Sequence, residues 1–144
     1  MMESVVAEFR DAIGDSDGAV VHPDLAWSAK AYVLHVADNL RIWAERVEAR
    51  MAGGSELIAP YDDQLLATAR NYAETSLDVA WVTIENAVAQ WLTAARKGVV
   101  ARPTLLHPVR GCLSIEDVVA TTCHDARHHL WDIQRTLAVQ REGR

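Results

Sequence analysis

The sequence contains only two cysteines among its 144 residues, Cys112 and Cys123. They lack the C-x-x-C spacing of a zinc knuckle, and their small number is typical of reduced thiols in a cytosolic protein. We therefore expect no disulfide and no cysteine-ligated metal.

Long hydrophobic runs are also missing. The apolar stretches are a few residues long, whereas a helix needs about 20 apolar residues to cross a bilayer. The N-terminal stretch MMESVVAEFRDAIGD has an early acid and lacks the basic and apolar segments of a secretion signal. We expect a cytoplasmic protein with no membrane partner.

Basic residues are fewer than acidic ones. The chain has 14 lysines and arginines against 20 aspartates and glutamates, which gives a formal net charge of -6. Affinity for nucleic acid comes mostly from lysine and arginine that neutralise phosphates. We therefore expect no nucleic-acid partner.

The rest of the composition is that of an ordinary globular domain, with 50% hydrophobic and 24% charged residues. The length predicts one domain, residues 1–144. A chain of this size buries roughly 70% of its unfolded surface on folding. Its stability does not require a metal, so we expect any metal site in this chain to be catalytic and not structural.

Only four prolines are present, and all of them lie between segments with helical periodicity. Four such segments recur along the chain: 3–13, 28–51, 76–97 and 114–140. An extra turn is predicted at 65–70. Since no segment alternates apolar and polar residues long enough to form a sheet, we predict an all-α four-helix bundle.

Several helix ends have recognisable signals. Ser28 is a good N-cap for the second helix, and Trp27 before it is placed to pack on Tyr32. The S-I-E-D run at 114–117 resembles a capping box that starts the last helix. Gly98 is predicted to lie just after the end of the third helix.

The histidines are the residues that indicate a metal-binding site. Three of the six, His124, His128 and His129, lie on the last helix, and His35 lies inside the second. His22 and His107 stand beside prolines and are expected to be solvated loop residues.

Two pairs of residues on the last helix compete as metal ligands. His124 and His128 frame H-D-A-R-H, a near match to the H-E-x-x-H of zincins, but with Asp in place of the catalytic Glu. Asp125 and His129 have the same spacing and lie nearer the core face of the helix. Together with His35 they would provide two imidazoles and one carboxylate, a donor set that suits a catalytic divalent metal such as zinc or nickel.

Both helices also repeat a His-x-x-Asp spacing, His35 to Asp38 and His129 to Asp132. An acid three residues after a ligating histidine can reach its second ring nitrogen. For Asp38, however, the helical wheel favours the solvated face of the second helix.

The sequence resembles the DinB superfamily, the metal-binding four-helix proteins that include mycothiol-dependent maleylpyruvate isomerases. Three stretches carry the resemblance: W-S at 27–28 leading into YVLHVAD at 32–38, RGCLSIED at 110–117, and DARHHLWDI at 125–133. In the family, the last ligating histidine is followed three residues later by Gln or Asp and then by an aliphatic residue, as His129 is here. Asp125 then takes the position of the usual His or Glu ligand.

The resemblance implies an up-down-down-up bundle with a long connection between the second and third helices. It further implies a divalent metal that binds a low-molecular-weight thiol such as mycothiol, and a thiol-dependent S-transferase or isomerase acting on a small electrophilic substrate. One alternative is a zincin-like metallohydrolase. Another is a non-catalytic helical homodimer with a vestigial or sensing metal site, since five tryptophans offer apolar surface for a partner helix.

Overall fold

The computed structural model, which describes residues 2–142, is mostly helical. A 3-10 turn (Met2–Ser4) leads into α1 (Val5–Ile13), and the remaining elements are α2 (Ala29–Met51), α3 (Asp63–Ala69), α4 (Leu77–Ala101), β1 (Leu105–His107), β2 (Gly111–Leu113) and α5 (Ile115–Glu142). The predicted four-helix bundle is confirmed, since α1, α2, α4 and α5 share one core. In the described range, no helix is long and apolar enough to cross a membrane.

Helix α2 is the centre of the bundle. It packs most extensively against α4 and then against α5, while α1 packs on α5. The largest side chains at the centre of the core are fully buried: Phe9, Leu40, Ile84, Trp91 and Ile133. A long connection, residues 52–76, joins α2 to α4 and contains α3, as the resemblance implies.

The predicted helix starts at Ser28 and Ser114 are confirmed. Ser28 Oγ accepts a hydrogen bond from the Ala31 amide at 3.3 Å, and the rings of Trp27 and Tyr32 lie 5.5 Å apart. At the start of α5, Ser114 Oγ accepts from the Asp117 amide at 3.1 Å. The Asp117 carboxylate in turn accepts from the Ser114 amide at 2.9 Å, which completes the capping box.

The hairpin between α4 and α5 was not predicted. Strands β1 and β2 pair antiparallel over three residues each, too few for an alternating pattern to show in the sequence. His107, expected in a loop, lies instead at the end of β1 and is partly buried. Its Nδ1 accepts hydrogen bonds from the amides of Val109 and Arg110, at 3.1 and 3.2 Å, and so closes the turn.

The predicted position of Gly98 after the third helix is also wrong, since α4 continues to Ala101. Gly98 instead allows a close approach between helices. A Cβ at this position would lie 2.8 Å from Ile115 Cδ1 and 3.3 Å from Val47 Cγ1. The absence of a side chain at Gly98 therefore lets α4 pack closely against α5 and α2.

Asp38 is buried, contrary to the expectation of a solvated face, and only 1% of it is exposed. Its carboxylate accepts from Tyr72 Oη at 2.5 Å and pairs with Arg70 Nε at 2.8 Å. Both partners lie in the connection between α2 and α4. That connection covers the polar side of α2, which a helical wheel treats as open to solvent.

The tryptophans mostly serve the core. Trp43, Trp81 and Trp91 are buried, and Trp27 is half-buried. Trp131 is 53% exposed, with the Arg135 guanidinium 4.5 Å from its ring.

We expect the Gly98→Ala variant to be less stable than the parent. Overpacking a tight contact costs about 1–3 kcal/mol, which exceeds the roughly 1 kcal/mol that alanine gains in a helix. Trimming the opposing side chain with Ile115→Ala should reduce that cost, because the substitution removes both Cδ1 and Cγ1, which would lie 2.8 and 2.9 Å from the added Cβ. Urea unfolding of both single variants and the double variant measures the coupling, and a Gly98→Ala protein more stable than the parent would contradict the assigned contact.

Candidate metal site

Helices α2 and α5 bring three potential metal ligands together. His35 lies in the second turn of α2, and Asp125 and His129 lie one turn apart on α5. One ligand atom from each residue lies within 4.8 Å of the other two. The imidazole rings of His35 and His129 meet edge to face, with their centres 4.6 Å apart.

His129 is held at both of its ring nitrogens. Nδ1 lies 3.0 Å from Asp132 Oδ2, and Nε2 lies 3.4 Å from Asp125 Oδ1. Both neighbours are carboxylates, but the contact with the buried Asp132 is the shorter one, so we assign the proton of the neutral ring to Nδ1. In neutral His129 the lone pair then lies on Nε2, on the side of Asp125. The predicted contact between His129 and Asp132 is confirmed.

His35 lacks the corresponding contact with Asp38, whose carboxylate is occupied by Tyr72 and Arg70. The acid that approaches His35 is Asp63, at the start of α3, with its Oδ1 3.8 Å from Nδ1. Burial lowers the pKa of His35, and the neighbouring charge of His129 lowers it further. His35 is therefore favoured in the neutral form that can donate a lone pair.

Asp125 and His129 form an ion pair in the absence of metal. Burial is the largest influence and opposes the charged form of each, but the hydrogen bonds and opposite charges around the pair together outweigh it, so the pKa of Asp125 is lowered and that of His129 is raised. Asp132 also raises the pKa of His129. A metal ligated by His129 Nε2 would take the place of the proton on that nitrogen.

Several positioning residues of the site were missed by sequence reasoning. Asn39 Nδ2 donates to Asp125 Oδ2 at 2.6 Å, and Tyr61 Oη donates to Asn39 Oδ1 at 3.4 Å. The Tyr32 ring stacks on His129, with centres 5.1 Å apart. The spacing of His35 and Asn39, four residues apart on one helix face, was the available signal for Asn39.

The alternative pair, His124 and His128, lies on the exposed side of α5. Their rings are 6.5 Å apart. His128 does form a second close group, with His129 and Asp132. Within residues 2–142, His124 belongs to no group of three potential ligands, so the H-D-x-x-H spacing brings no third donor with it.

The fold resembles that of a known structure. No family model matches the sequence, and no curated protein matches it significantly. Among solved structures, the chain is similar to YfiT from Bacillus subtilis, described as "a probable metal-dependent hydrolase with an unusual four-helix bundle topology". The alignment covers 99% of this chain and 83% of that one, with a TM-score of 0.80 and 18% sequence identity. The chain therefore has the four-helix fold of YfiT.

Proposed function

We propose that this protein is a metal-dependent enzyme in which His35, Asp125 and His129 bind one divalent ion. The reaction would be the attack of a low-molecular-weight thiol, such as mycothiol, on a small electrophilic substrate. The observation that carries the proposal is the convergence of the three ligand atoms within 4.8 Å at the contact between α2 and α5.

The donor set fits a catalytic ion better than a structural one. Structural zinc sites are usually closed by four protein ligands, whereas catalytic sites use three and leave a position open. Two imidazoles and a carboxylate suit zinc and nickel alike. The ion would supply Lewis acidity, which lets a thiol or water ionise near neutral pH.

The surrounding residues have separate tasks in this proposal. Asp132 fixes the tautomer of His129 through Nδ1, and Asn39 holds one oxygen of Asp125 so that the other remains toward His129. Asp63 is half-exposed and lies 3.8 Å from His35. Its carboxylate is placed to accept the proton that an incoming thiol releases.

A second candidate function is hydrolysis, in which water replaces the thiol as the nucleophile. The described function of YfiT favours it. In the zincin form, Asp125 would have to remain free as the base. Its two oxygens are instead engaged by His129 and Asn39, so Asp63 is the better base for a hydrolase at this site.

Metal binding should require His35 and His129 together, because loss of either leaves at most two protein ligands. We expect His35→Ala and His129→Ala to lose the metal. His128→Ala, which removes an exposed neighbour, is the matched control and should keep it. Elemental analysis of protein purified without a polyhistidine tag gives the stoichiometry. Full occupancy in His129→Ala with loss in His128→Ala would reverse the ligand assignment.

Asp125→Asn should weaken metal binding more than His124→Gln. The carboxylate is the one negative charge among the three proposed ligands, and an amide oxygen is a poorer donor for zinc or nickel. Asp125→Glu should be the mildest change at this position because it keeps the carboxylate. Competition titrations with a chelating dye rank the three variants. Loss of binding in His124→Gln alone would favour the H-D-x-x-H pair and a zincin-like hydrolase.

The thiol and water alternatives are separated by a spectroscopic titration. With cobalt(II) in the site, we expect N-acetylcysteine to produce a sulfur-to-cobalt absorption band. N-acetylserine, which differs only in having oxygen for sulfur, should produce none. A cobalt-loaded protein that shows no band with the thiol would contradict thiol activation and leave hydrolysis as the favoured function.

A further inference from the structure

A polar cleft lies beside the candidate metal site. Its volume is about 230 Å³, and His35 and Asp125 form part of its wall. The same cleft is lined by two arginines, Arg46 and Arg110. Its volume is below the roughly 300–1,000 Å³ typical of pockets for drug-sized ligands, so it suits a small molecule.

Arg46 is held in place at the wall of this cleft. Its guanidinium lies 4.7 Å from the centre of the Trp43 ring and 5.5 Å from that of Tyr61. One of its Nη atoms donates to the Ala59 carbonyl at 2.5 Å. Since a guanidinium has five N–H donors in a fixed plane, most of them are available to a ligand.

Arg110 reaches the cleft from the turn between β1 and β2. The two amide hydrogen bonds accepted by His107 fix the backbone of this turn, and Arg110 Nη1 donates to Thr121 Oγ1 at 3.0 Å. The hairpin thus places a second guanidinium near the first one. Burial lowers the pKa of Arg46, and repulsion from Arg110 lowers it further.

Arg46 and Arg110 differ from several other arginines of the chain in their partners. In the part of the chain that the structure describes, no carboxylate forms an ion pair with Arg46 or Arg110, whereas four other arginines do have such partners: Arg10, Arg41, Arg70 and Arg96. The two acids that line the cleft, Asp63 and Asp125, face the histidines His35 and His129 instead. A half-buried guanidinium without a counter-ion is a ready partner for an oxyanion, which it binds with two parallel hydrogen bonds.

We propose that Arg46 and Arg110 bind the oxyanion group of the substrate, a carboxylate or a phosphate, while its reactive end lies at His35 and Asp125. The inference rests on the proposed function and names its substrate class, a small organic anion. The arginines select and orient this substrate relative to the metal site.

An NMR titration tests the proposal at the two side chains themselves. Succinate and inorganic phosphate are added separately to ¹⁵N-labelled protein, both metal-free and zinc-loaded, at low ionic strength. We expect saturable shifts of the Arg46 and Arg110 Nε–H signals. Arg46→Gln and Arg110→Gln should each weaken binding about tenfold or more, because a hydrogen bond to a charged group is lost. Arg46→Lys should fall between Arg46→Gln and the parent.

Arg96→Gln is the matched control, since it removes the same charge from an exposed arginine paired with Glu3. Its affinity should remain within about twofold of the parent, because screening weakens distant surface charges. Tighter succinate binding identifies a carboxylate substrate, and tighter phosphate binding identifies a phosphorylated one. Circular dichroism checks that each variant is folded, and Arg110→Gln, on an exposed turn, serves if Arg46→Gln fails to fold.

Two results would overturn the inference: no saturable shift with either anion, or an equal loss of affinity in Arg96→Gln. The zinc content of the same samples separates this outcome from failure of the proposed function. A protein that binds the anions through both arginines but takes up no zinc contradicts the metal proposal alone. A zinc-loaded protein without arginine-dependent anion binding contradicts this inference alone.

Discussion

The contact between α2 and α5 is the constraint on which the site depends. It brings His35 of α2 against His129 of α5, with ring centres 4.6 Å apart. Two polar imidazoles at a helix interface would be costly in an apolar core. The cost is offset because His129 hydrogen-bonds Asp132 and pairs with Asp125, and because Trp27 and Tyr32 pack their rings on the two histidines. The apolar packing of the bundle therefore holds the polar residues at a fixed separation.

The connection between α2 and α4 contributes to the site as well as to the core. The Asp38 carboxylate binds Tyr72 and Arg70, which lie in the C-terminal part of this connection. The adjacent residue, Asn39, links Tyr61 of the same connection to Asp125. Two neighbouring polar residues on α2 thus anchor the segment that brings Asp63 to His35 and Tyr61 to the cleft. We infer that burying Asp38, which costs free energy unless its oxygens are paired, serves the placement of this segment.

Local signals in the sequence predicted the helices and part of the site. The capping residues Ser28 and Ser114 marked helix starts correctly, and the spacing of Asp125, His129 and Asp132 on one helix indicated which side chains share a face.

Features that depend on contacts between distant segments were not predictable from such local signals. Asp38 looked solvated because nothing local shows that residues 52–76 cover it, and Gly98 looked like a helix end because its contact with Ile115 is absent from the local pattern. Arg46 and Arg110 line the same cleft because of the hairpin, whose strands are too short to show an alternating pattern in the sequence.

The proposed binding of one divalent ion by His35, Asp125 and His129 can be tested directly in crystals. Anomalous diffraction from crystals of the zinc-loaded protein, collected on both sides of the zinc absorption edge, locates the ion directly. We expect one strong peak between α2 and α5, about 2.0–2.1 Å from one ring nitrogen of each histidine and about 2.0–2.2 Å from an Asp125 oxygen. A peak bound instead by His124 and His128 on the exposed side of α5, with none beside His35, would contradict the proposal.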